Sequence, residues 1–423
     1  MPKRKSVTYT FQAEELALLK IKMLNWLRPF SIFAYLDNNS YAHQPNRFEL
    51  LTGAGAEETF QYPDISGGDW LFGHAAYDLK NKLVPQLTSK HEEQTGFADC
   101  LFFRPEIVAY IPAGSHVLHI ESLTRDAVSV LKDILAREDT ILPVYAPQNI
   151  AWQLKPDKAD YLDKVKNIRE HIAEGDCYEL NFCVEAFSTG AELDPYETFY
   201  RLNKLNPSPF AAFYRNENAY GICASPERFL YKKGWQVLSQ PIKGTIGKGK
   251  NEEENEALKM DLIQDEKERA ENVMIVDLVR NDLAQCCVTG SVKVPELFGV
   301  YAFPQLFHLI STVSGRLQEN KTFPDILGVT FPMGSMTGAP KRIVMELIEA
   351  YEASRRGLYS GTIGYIMPEG NFDFNVVIRS LFYNTATHRL SYQAGGAITW
   401  DSIPEKEWEE VQLKAKAMEA LFQ

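Results

Sequence analysis

The order of apolar and polar positions divides the chain into a sheet-rich first part and a mixed second part. Over residues 1–140, short apolar runs alternate with Gly, Asn, Asp and Pro, as in SIFAYLDNN and GGDWLFGHAAYDL, which is typical of strands separated by turns. Residues 140–161 carry three prolines and little periodicity. We therefore expect an amino-terminal region, 1–145, and a second region, 157–416, with the boundary between them.

The second region begins with a helix and a strand. Leu162, Val165, Ile168 and Ile172 recur at helical spacing, and Gly175 is a common helix-ending residue. The next segment, CYELNFCVEAF, alternates strictly and predicts a strand. Its polar face consists of Glu179, Asn181, Cys183 and Glu185. Such a face is either a solvated sheet surface or part of a site.

Further elements follow with clear signals. Residues 234–246 predict a strand that runs into a glycine-containing turn, and 264–283 predict a long helix. Three more strands are expected at 360–366, 372–384 and 388–399. The last helix should begin near Pro404, where Ser402 and Glu405 have the spacing of a capping box.

Two of these helices carry paired acids. Glu268 and Glu271 are three residues apart, and the last helix repeats the spacing with Glu407 and Glu410 and adds Lys414. Residues three apart project from one helix face. The pairs are either solvated faces or, if both helices line one cleft, the ligands of a shared divalent ion. Mg²⁺ suits such a site because it binds few carboxylates and an anionic substrate.

Composition excludes several classes of function. The chain has 423 residues, 45% of them hydrophobic, and a formal net charge of -12, which disfavours a nucleic-acid partner. The six cysteines have no zinc-like spacing and are expected to be free thiols in a reducing compartment. There is no run of eighteen apolar residues, and the first fifteen residues lack a signal-peptide pattern. We expect a cytoplasmic protein without a membrane span.

A series of motifs in fixed order identifies a family resemblance. They are GDCYELN, SPERFL, PIKGT, ERAENVMIVDLVRND, HLISTVSG, FPMGSMTGAPKR, RRGLYSGTIGY, VVIRS, AGGAITWDS and EWEEVQLKAKA. Together they resemble the chorismate-utilising family, which includes anthranilate, aminodeoxychorismate, isochorismate and salicylate synthases. The resemblance covers about residues 157–416. It implies one α+β body in which two large antiparallel β-sheets pack face to face with helices outside, and to which the amino-terminal region contributes strands.

The resemblance also implies a set of site residues. It places Mg²⁺ on Glu271 and Glu410, with Glu268 and Glu407 beside them. For substrate binding it implies Arg379 and Lys414 on the carboxylates of chorismate, assisted by the amides of Gly395 and Gly396, and Thr337, Gly338 and Tyr359 around the ring. For proton transfer it implies His308 near the departing hydroxyl and Glu227 as a general acid or base.

Lys243 and Glu179 separate the branches of the family. Anthranilate synthases resemble this chain but carry PIAGT where it has PIKGT, and the lysine of the aminodeoxychorismate branch is implied to bond covalently to the ring. The alternative for Lys243 is a strand-end lysine in solvent. At Glu179, ammonia-using members commonly carry Gln and water-using members Lys, so this carboxylate departs from both. Ala397, where Gly is frequent, is a second departure.

The implied activity is the amination of chorismate to 4-amino-4-deoxychorismate, a precursor of 4-aminobenzoate and folate. No cysteine lies in a glycine-flanked nucleophile turn, so ammonia should come from a separate glutamine amidotransferase subunit. Three alternatives stay open: anthranilate synthase component I, an isochorismate or salicylate synthase, and a non-catalytic scaffold that binds an amidotransferase.

Overall fold

The structure, a computed structural model, describes residues 3–42, 45–66, 68–141 and 150–422. The predicted boundary at residue 145 lies outside these ranges, so the division into 1–145 and 157–416 stays a prediction. None of the described helices combines the length and the apolar composition that a bilayer crossing requires.

Twenty strands form the framework of the described residues. They are β1 Lys5–Thr10, β2 Ile32–Asp37, β3 Phe48–Phe60, β4 Leu71–Ala75, β5 Cys100–Pro112, β6 Val117–Ser122, β7 Gln153–Lys155, β8 Glu179–Thr189, β9 Phe210–Asn216, β10 Ala219–Ser225, β11 Arg228–Lys233, β12 Gln236–Gln240, β13 Ile242–Gly247, β14 Lys293–Ala302, β15 Leu306–Arg316, β16 Gly338–Ala339, β17 Thr362–Ile366, β18 Phe372–Asn375, β19 Ser380–Asn384 and β20 Arg389–Ile398. Every pairing among them is antiparallel.

Ten α-helices accompany the strands. They are α1 Leu16–Trp26, α2 Lys80–Leu83, α3 Ala127–Leu135, α4 Lys158–Glu174, α5 Pro195–Leu205, α6 Glu252–Gln264, α7 Glu266–Ala284, α8 Phe323–Thr330, α9 Lys341–Tyr351 and α10 Pro404–Glu419. The described part of the chain is therefore α+β with an antiparallel framework, which confirms the expected fold class.

The strands form two sheets that are continuous through β5. One sheet runs β6–β5–β3–β2–β9–β10–β19–β20–β8, and the other runs β5–β4–β17–β18–β11–β12–β15. Residues 100–103 of β5 pair with β4, residues 102–112 pair with β3, and Phe102 and Phe103 therefore pair on both sides. Strands from the amino-terminal region thus pair directly with strands from the second region, as in β2 with β9 and β4 with β17.

The main core lies between the two sheets. Tyr214 and Phe382 of the first sheet belong to one buried cluster with Phe72 and Phe374 of the second. A second cluster joins the other side of the first sheet to the helices α1, α3 and α5. Apolar burial on both sides of one sheet is what keeps the two layers and the outer helices together.

Several local predictions are confirmed. The helix predicted before Gly175 is α4, and Gly175 ends it with the left-handed φ of 87° that glycine adopts without strain. The alternating segment after it is β8. The long helix predicted at 264–283 is α7, and its cap is Asp265, whose side chain accepts the amide of Glu268.

Three local predictions were wrong. The strand predicted over 234–246 is interrupted at Pro241, which has no N–H to donate to a neighbouring strand. The strand predicted over 372–384 is β18 and β19, because Arg379 has a φ of 52° and turns the backbone between them. Ser402 does not cap the last helix; Ile403 is the cap residue, and Ser402 Oγ donates to Glu407 Oε1 at 2.7 Å.

Candidate active site

Lys243 is buried between Glu179 on the predicted polar face of β8 and Glu271 of α7. Its Nζ donates to Glu179 Oε1 at 2.7 Å and lies 3.9 Å from Glu271 Oε2. The side chain of Lys243 is 12% exposed and that of Glu179 only 1%. Neither a solvated strand-end lysine nor a solvated β8 face is compatible with this geometry, so both alternatives are excluded.

The charge of Lys243 is fixed by these neighbours. Burial lowers the pKa of its amine, but the carboxylates of Glu179 and Glu271 outweigh burial and raise the pKa above its usual value. The side chain is therefore an ammonium in this state, and it must lose a proton before it can act as a nucleophile.

Asn272 fixes the backbone that carries Lys243. Asn272 Nδ2 donates to the carbonyl of Lys243 at 3.3 Å, and its Oδ1 accepts from Ser311 Oγ at 2.6 Å. Sequence reasoning missed this residue, although it lies in the ERAEN motif beside Glu271. A buried amide that bonds at both its nitrogen and its oxygen restricts the backbone from which the lysine side chain extends.

Glu227 has the environment of a general acid. The side chain is buried, and its Oε1 accepts a hydrogen bond from Ser335 Oγ at 2.6 Å. Burial raises the pKa of Glu227 to about 7, although the Ser335 hydrogen bond and the charges of Lys243 and Arg379 oppose the shift. A carboxyl group with this pKa is partly protonated at neutral pH and can donate a proton.

His308 and Arg379 form a linked pair in the same cleft. Arg379 Nη2 lies 3.2 Å from His308 Nε2, and Thr245 Oγ1 lies 2.8 Å from His308 Nδ1. Because a guanidinium only donates, Nε2 must accept and Nδ1 must carry the proton. His308 can therefore donate from Nε2 only after Arg379 moves away and the ring gains a proton there.

Arg379 is poised for a substrate carboxylate. Burial lowers the pKa of its guanidinium, and the Glu227 carboxylate opposes that shift. In the part of the chain that the structure describes, no ion-pair partner of Arg379 lies within 4.0 Å. A partly buried guanidinium without a carboxylate partner is suited to bind one from a ligand.

The acidic pairs of α7 and α10 face the same cleft. A Cβ added at Gly396 would lie 3.3 Å from Glu410 Oε1 and 3.6 Å from Glu407 Oε2, and one added at Gly244 would lie 3.3 Å from Glu268 Oε2. Strands β13 and β20 therefore approach the acids closely at Gly244 and Gly396, because glycine has no side chain that would fill the space.

The protonation of the four acids depends on their positions. Burial raises the pKa of Glu271 to about 7, and Glu179 and Glu268 add to the shift while Lys243 opposes it. Burial also raises the pKa of Glu268 and Glu407. For Glu410, burial raises the pKa, but the adjacent Lys414 ammonium outweighs it and lowers the net value.

Lys267 is a second cation beside the group, in addition to Lys414, and sequence reasoning missed it. Its Nζ lies 3.8 Å from Glu271 Oε1, and all four acids raise the pKa of its amine, against the lowering effect of burial. The half-exposed ammonium partly neutralises the cluster in this state.

The donor set fits a magnesium ion, because four carboxylates provide hard oxygen donors and a net negative charge. Three potential metal ligands lie within 4.8 Å of one another elsewhere among the described residues. They are His171, Glu174 and Asp176, on the surface. The four glutamates are more widely spaced, so their role as metal ligands stays a prediction.

The predicted substrate residues on β20 and α10 have structural contacts of their own. Lys414 Nζ donates to the carbonyl of Gly395 at 2.8 Å and pairs with Glu410 Oε1 at 2.6 Å. A Cβ at Gly395 would lie only 2.4 Å from the carbonyl oxygen of Phe182. Gly395 is thus required by strand packing, and substrate contacts of Lys414, Gly395 and Gly396 stay predictions.

The turn around Thr337 docks against the start of β8. Thr337 Oγ1 donates to the carbonyl of Met333 at 3.1 Å, and a Cβ at Gly338, which has a φ of 140°, would lie 2.0 Å from the carbonyl oxygen of Glu179. The hydroxyl of Tyr359 lies 3.8 Å from Cys183 Sγ. These residues therefore support β8, and their contact with a substrate ring stays a prediction.

A buried ion pair, Arg356 with Glu352, links three parts of the site, and sequence reasoning missed it. Arg356 donates to both carboxylate oxygens of Glu352, at 2.6 and 2.9 Å, and to the carbonyls of Met336 and Asn181, at 2.6 and 2.8 Å. Glu352 also accepts the amide of Cys183 at 2.9 Å. The RRGLYSG motif contained the arginine, but an arginine in a sequence more often indicates a surface position.

Comparison with known sequences agrees with the geometry. A profile of chorismate binding enzymes matches residues 25–420. The chain is 41% identical over 379 residues to aminodeoxychorismate synthase component 1 of Bacillus subtilis, with 86% of this chain and 78% of that protein covered. It is 34% identical over 363 residues to anthranilate synthase component 1 of Thermus thermophilus, with 84% and 77% covered.

Comparison with solved structures agrees on the fold. Anthranilate synthase component I of Streptococcus pneumoniae superimposes with a TM-score of 0.74 at 24% identity, covering 99% of this chain and 93% of that one. The menaquinone-specific isochorismate synthase of Escherichia coli gives 0.76 at 18% identity, covering 100% and 95%. The motifs, the sequence profile and the shared fold together establish that this chain belongs to the chorismate binding enzyme family.

Proposed function

We propose that the protein aminates chorismate to 4-amino-4-deoxychorismate, as component 1 of an aminodeoxychorismate synthase. The observation that carries the proposal is the buried contact between Lys243 and Glu179 in a cleft that also contains Glu227 and Arg379. Sequence relatives of that name at about 40% identity support it. An anthranilate synthase is the second candidate, because relatives of that name also match most of the chain.

The first step makes Lys243 a nucleophile. Its ammonium passes one proton to Glu179 Oε1, 2.7 Å away, and the free amine forms a bond to the chorismate ring. The carbon–oxygen bond of the 4-hydroxyl breaks, and the oxygen leaves as water with a proton from Glu227. The proton on Glu179 then passes to Glu227, so Glu179 is again a carboxylate.

The second step installs the nitrogen. Ammonia forms a bond to carbon 4 of the ring while the bond to Lys243 breaks, and the lysine amine is released. Arg379 binds a substrate carboxylate throughout both steps. By leaving His308 before the first step, Arg379 frees Nε2 of the imidazole to form a hydrogen bond with the 4-hydroxyl before that group departs. Lys414 and the amides of Gly395 and Gly396 complete the carboxylate pocket in this proposal.

A magnesium ion is part of the proposal. Glu271 and Glu410 would hold it, with Glu268 and Glu407 beside them. When bound, the ion neutralises charge on the ring carboxylate of the substrate. We propose that the protein works in the cytoplasm and supplies folate synthesis, and that a separate glutamine amidotransferase provides ammonia.

Product identification tests this function. Purified protein is incubated with chorismate, Mg²⁺ and ammonium chloride at alkaline pH. The products are separated by chromatography and identified by mass spectrometry. Aminodeoxychorismate is the expected product, and added lyase should convert it to 4-aminobenzoate. Anthranilate would establish the second candidate, whereas isochorismate or salicylate formed without nitrogen would overturn both.

A further inference from the structure

The segment between β2 and β3 places an aromatic side chain beside the catalytic cleft. Tyr41 packs on Phe303, which follows β14, with ring centroids 5.2 Å apart, and Phe303 packs on His308 of β15 at 4.7 Å. Phe303 is 4% exposed and His308 1%, whereas Tyr41 is half-buried. We call these three rings the aromatic row. The amino-terminal region thus contributes to the surroundings of the imidazole.

Hydrogen bonds hold the outer end of the aromatic row. Tyr41 Oη donates to the carbonyl of Pro207 at 3.0 Å, and Asn38 Nδ2 donates to the carbonyl of Tyr41 at 2.9 Å. Burial raises the pKa of Tyr41 to about 12, although the charge of Arg379 opposes the shift, so the hydroxyl keeps its proton for this bond. Tyr41 is fixed through both its hydroxyl and its backbone, and it therefore limits the movement of the Phe303 ring.

The imidazole depends on such support once a substrate binds. In the structure, Thr245 Oγ1 lies 2.8 Å from His308 Nδ1, and Arg379 Nη2 lies 3.2 Å from Nε2. The proposed mechanism removes the second of these bonds, because Arg379 turns to a substrate carboxylate. The torsion between Cβ and a histidine ring has broad energy wells, so one hydrogen bond does not fix the ring plane. Packing on Phe303, at an interplanar angle of 81°, restricts that rotation.

We propose that Phe303 and Tyr41 are positioning residues for His308. Phe303 fixes the plane of the imidazole, and Tyr41 keeps Phe303 in place, so that Nε2 points at the 4-hydroxyl after Arg379 has left it. This inference rests on the proposed function, because it uses the role given there to His308. A ring that can rotate spends less time in the productive orientation, which lowers kcat without weakening substrate binding.

Phe303→Leu is the diagnostic variant. Leucine keeps an apolar side chain at this position but has no flat ring to set the plane of the imidazole. The kcat for amination should fall about tenfold, while the KM values for chorismate and ammonium should stay within about twofold of the wild type. Wild-type kcat would overturn the inference. So would a loss that lies entirely in the chorismate KM, since Phe303 would then act in substrate binding.

Tyr41 is tested through its dependence on Phe303. Tyr41→Phe keeps the ring contact and should retain about half or more of the wild-type kcat, whereas Tyr41→Leu should lose about threefold. Adding Tyr41→Leu to Phe303→Leu should cost nothing further, because Tyr41 acts through a ring that is already absent. Losses that multiply would show that Tyr41 acts by another route, which would overturn its part in the inference.

Phe11→Leu is the matched control. Phe11 is also buried, at 2% exposed, and also packs on a histidine, His116, with ring centroids 5.8 Å apart. It belongs to the second buried cluster, outside the cleft. Its kcat should equal that of the wild type although a buried ring is lost here too. An equal loss of kcat in both variants would attribute the effect to weakened folding and overturn the inference.

A spectroscopic measurement separates the inference from the proposed function. In an Arg379→Met variant with ¹⁵N-labelled histidine, NMR should show His308 as a single tautomer protonated at Nδ1, since Thr245 and Phe303 still hold the ring. Adding Phe303→Leu should shift both ring nitrogens toward the average of the two tautomers, and an unchanged tautomer would overturn the inference. A wild-type protein that forms no aminodeoxychorismate would instead overturn the proposed function, and the NMR result would still decide whether Phe303 orients the ring.

Discussion

Two buried ion pairs, Lys243 with Glu179 and Arg356 with Glu352, use the same chemistry for different purposes. In the second pair both carboxylate oxygens are bonded, and the guanidinium also donates to two backbone carbonyls. In the first pair one oxygen is unsatisfied. The saturated pair connects α9, β8 and the turn at Met336 through its hydrogen bonds, whereas the other pair leaves one acceptor of Glu179 unbonded.

Removal of the lysine should give the largest effect on activity. Lys243→Ala is expected to lower kcat for amination by about 10³-fold or more, because it removes the proposed nucleophile. No covalent adduct with chorismate should then be seen by intact-protein mass spectrometry. Wild-type kinetics in this variant would contradict the covalent step.

Removal of the saturated pair should mainly affect stability. Arg356→Met leaves Glu352 buried and unpaired, and it is expected to lower the free energy of unfolding by about 3–5 kcal/mol. Chemical denaturation at pH 7.5 measures this. The double variant that adds Glu352→Leu should recover part of the lost stability, because it removes the unpaired buried carboxylate. A double variant less stable than Arg356→Met alone would show that the loss does not come from an unpaired Glu352.

The titration of Glu227 should appear in the pH profile of kcat. The pKa of Glu227 is raised to about 7, so its proton is present below pH 7 and lost above it, and kcat should fall as pH rises through this value. Glu227→Gln should abolish this limb and cost about 10²-fold in kcat. Persistence of the limb in the variant would assign it to another group.

Lys267 should give the smallest effect. Its side chain is 51% exposed, so replacing it with Gln is expected to lower the unfolding free energy without metal by only about 0.5 kcal/mol. The same change should tighten Mg²⁺ binding in calorimetry, because a competing cation is gone. Weaker Mg²⁺ binding would count against the proposed ligand set.

The sequence predicted the parts of the molecule that periodicity and local chemistry control. The helix ending at Gly175 and the alternating strand with Glu179 were both found, because a few adjacent residues determine each. The spacing of Glu268 and Glu271 likewise indicated which helix face carries the acids. The motifs supplied the family and hence the fold.

The remainder depends on contacts between distant segments. The left-handed backbone at Arg379 breaks a strand that its apolar pattern predicts as continuous. Ser402 has the spacing of a cap but bonds to Glu407 instead. Asn272 and Arg356 act through carbonyls of other strands and turns. No local pattern encodes these partners.

The long strand β5 has a practical consequence for anyone who divides this protein. Since Cys100–Pro112 belongs to both sheets, cutting the chain near residue 145 would remove the partners of β9 and β17 and leave two open sheet edges. The motif-bearing segment expressed alone should therefore be insoluble. Directed evolution experiments are therefore best carried out on the uncut chain.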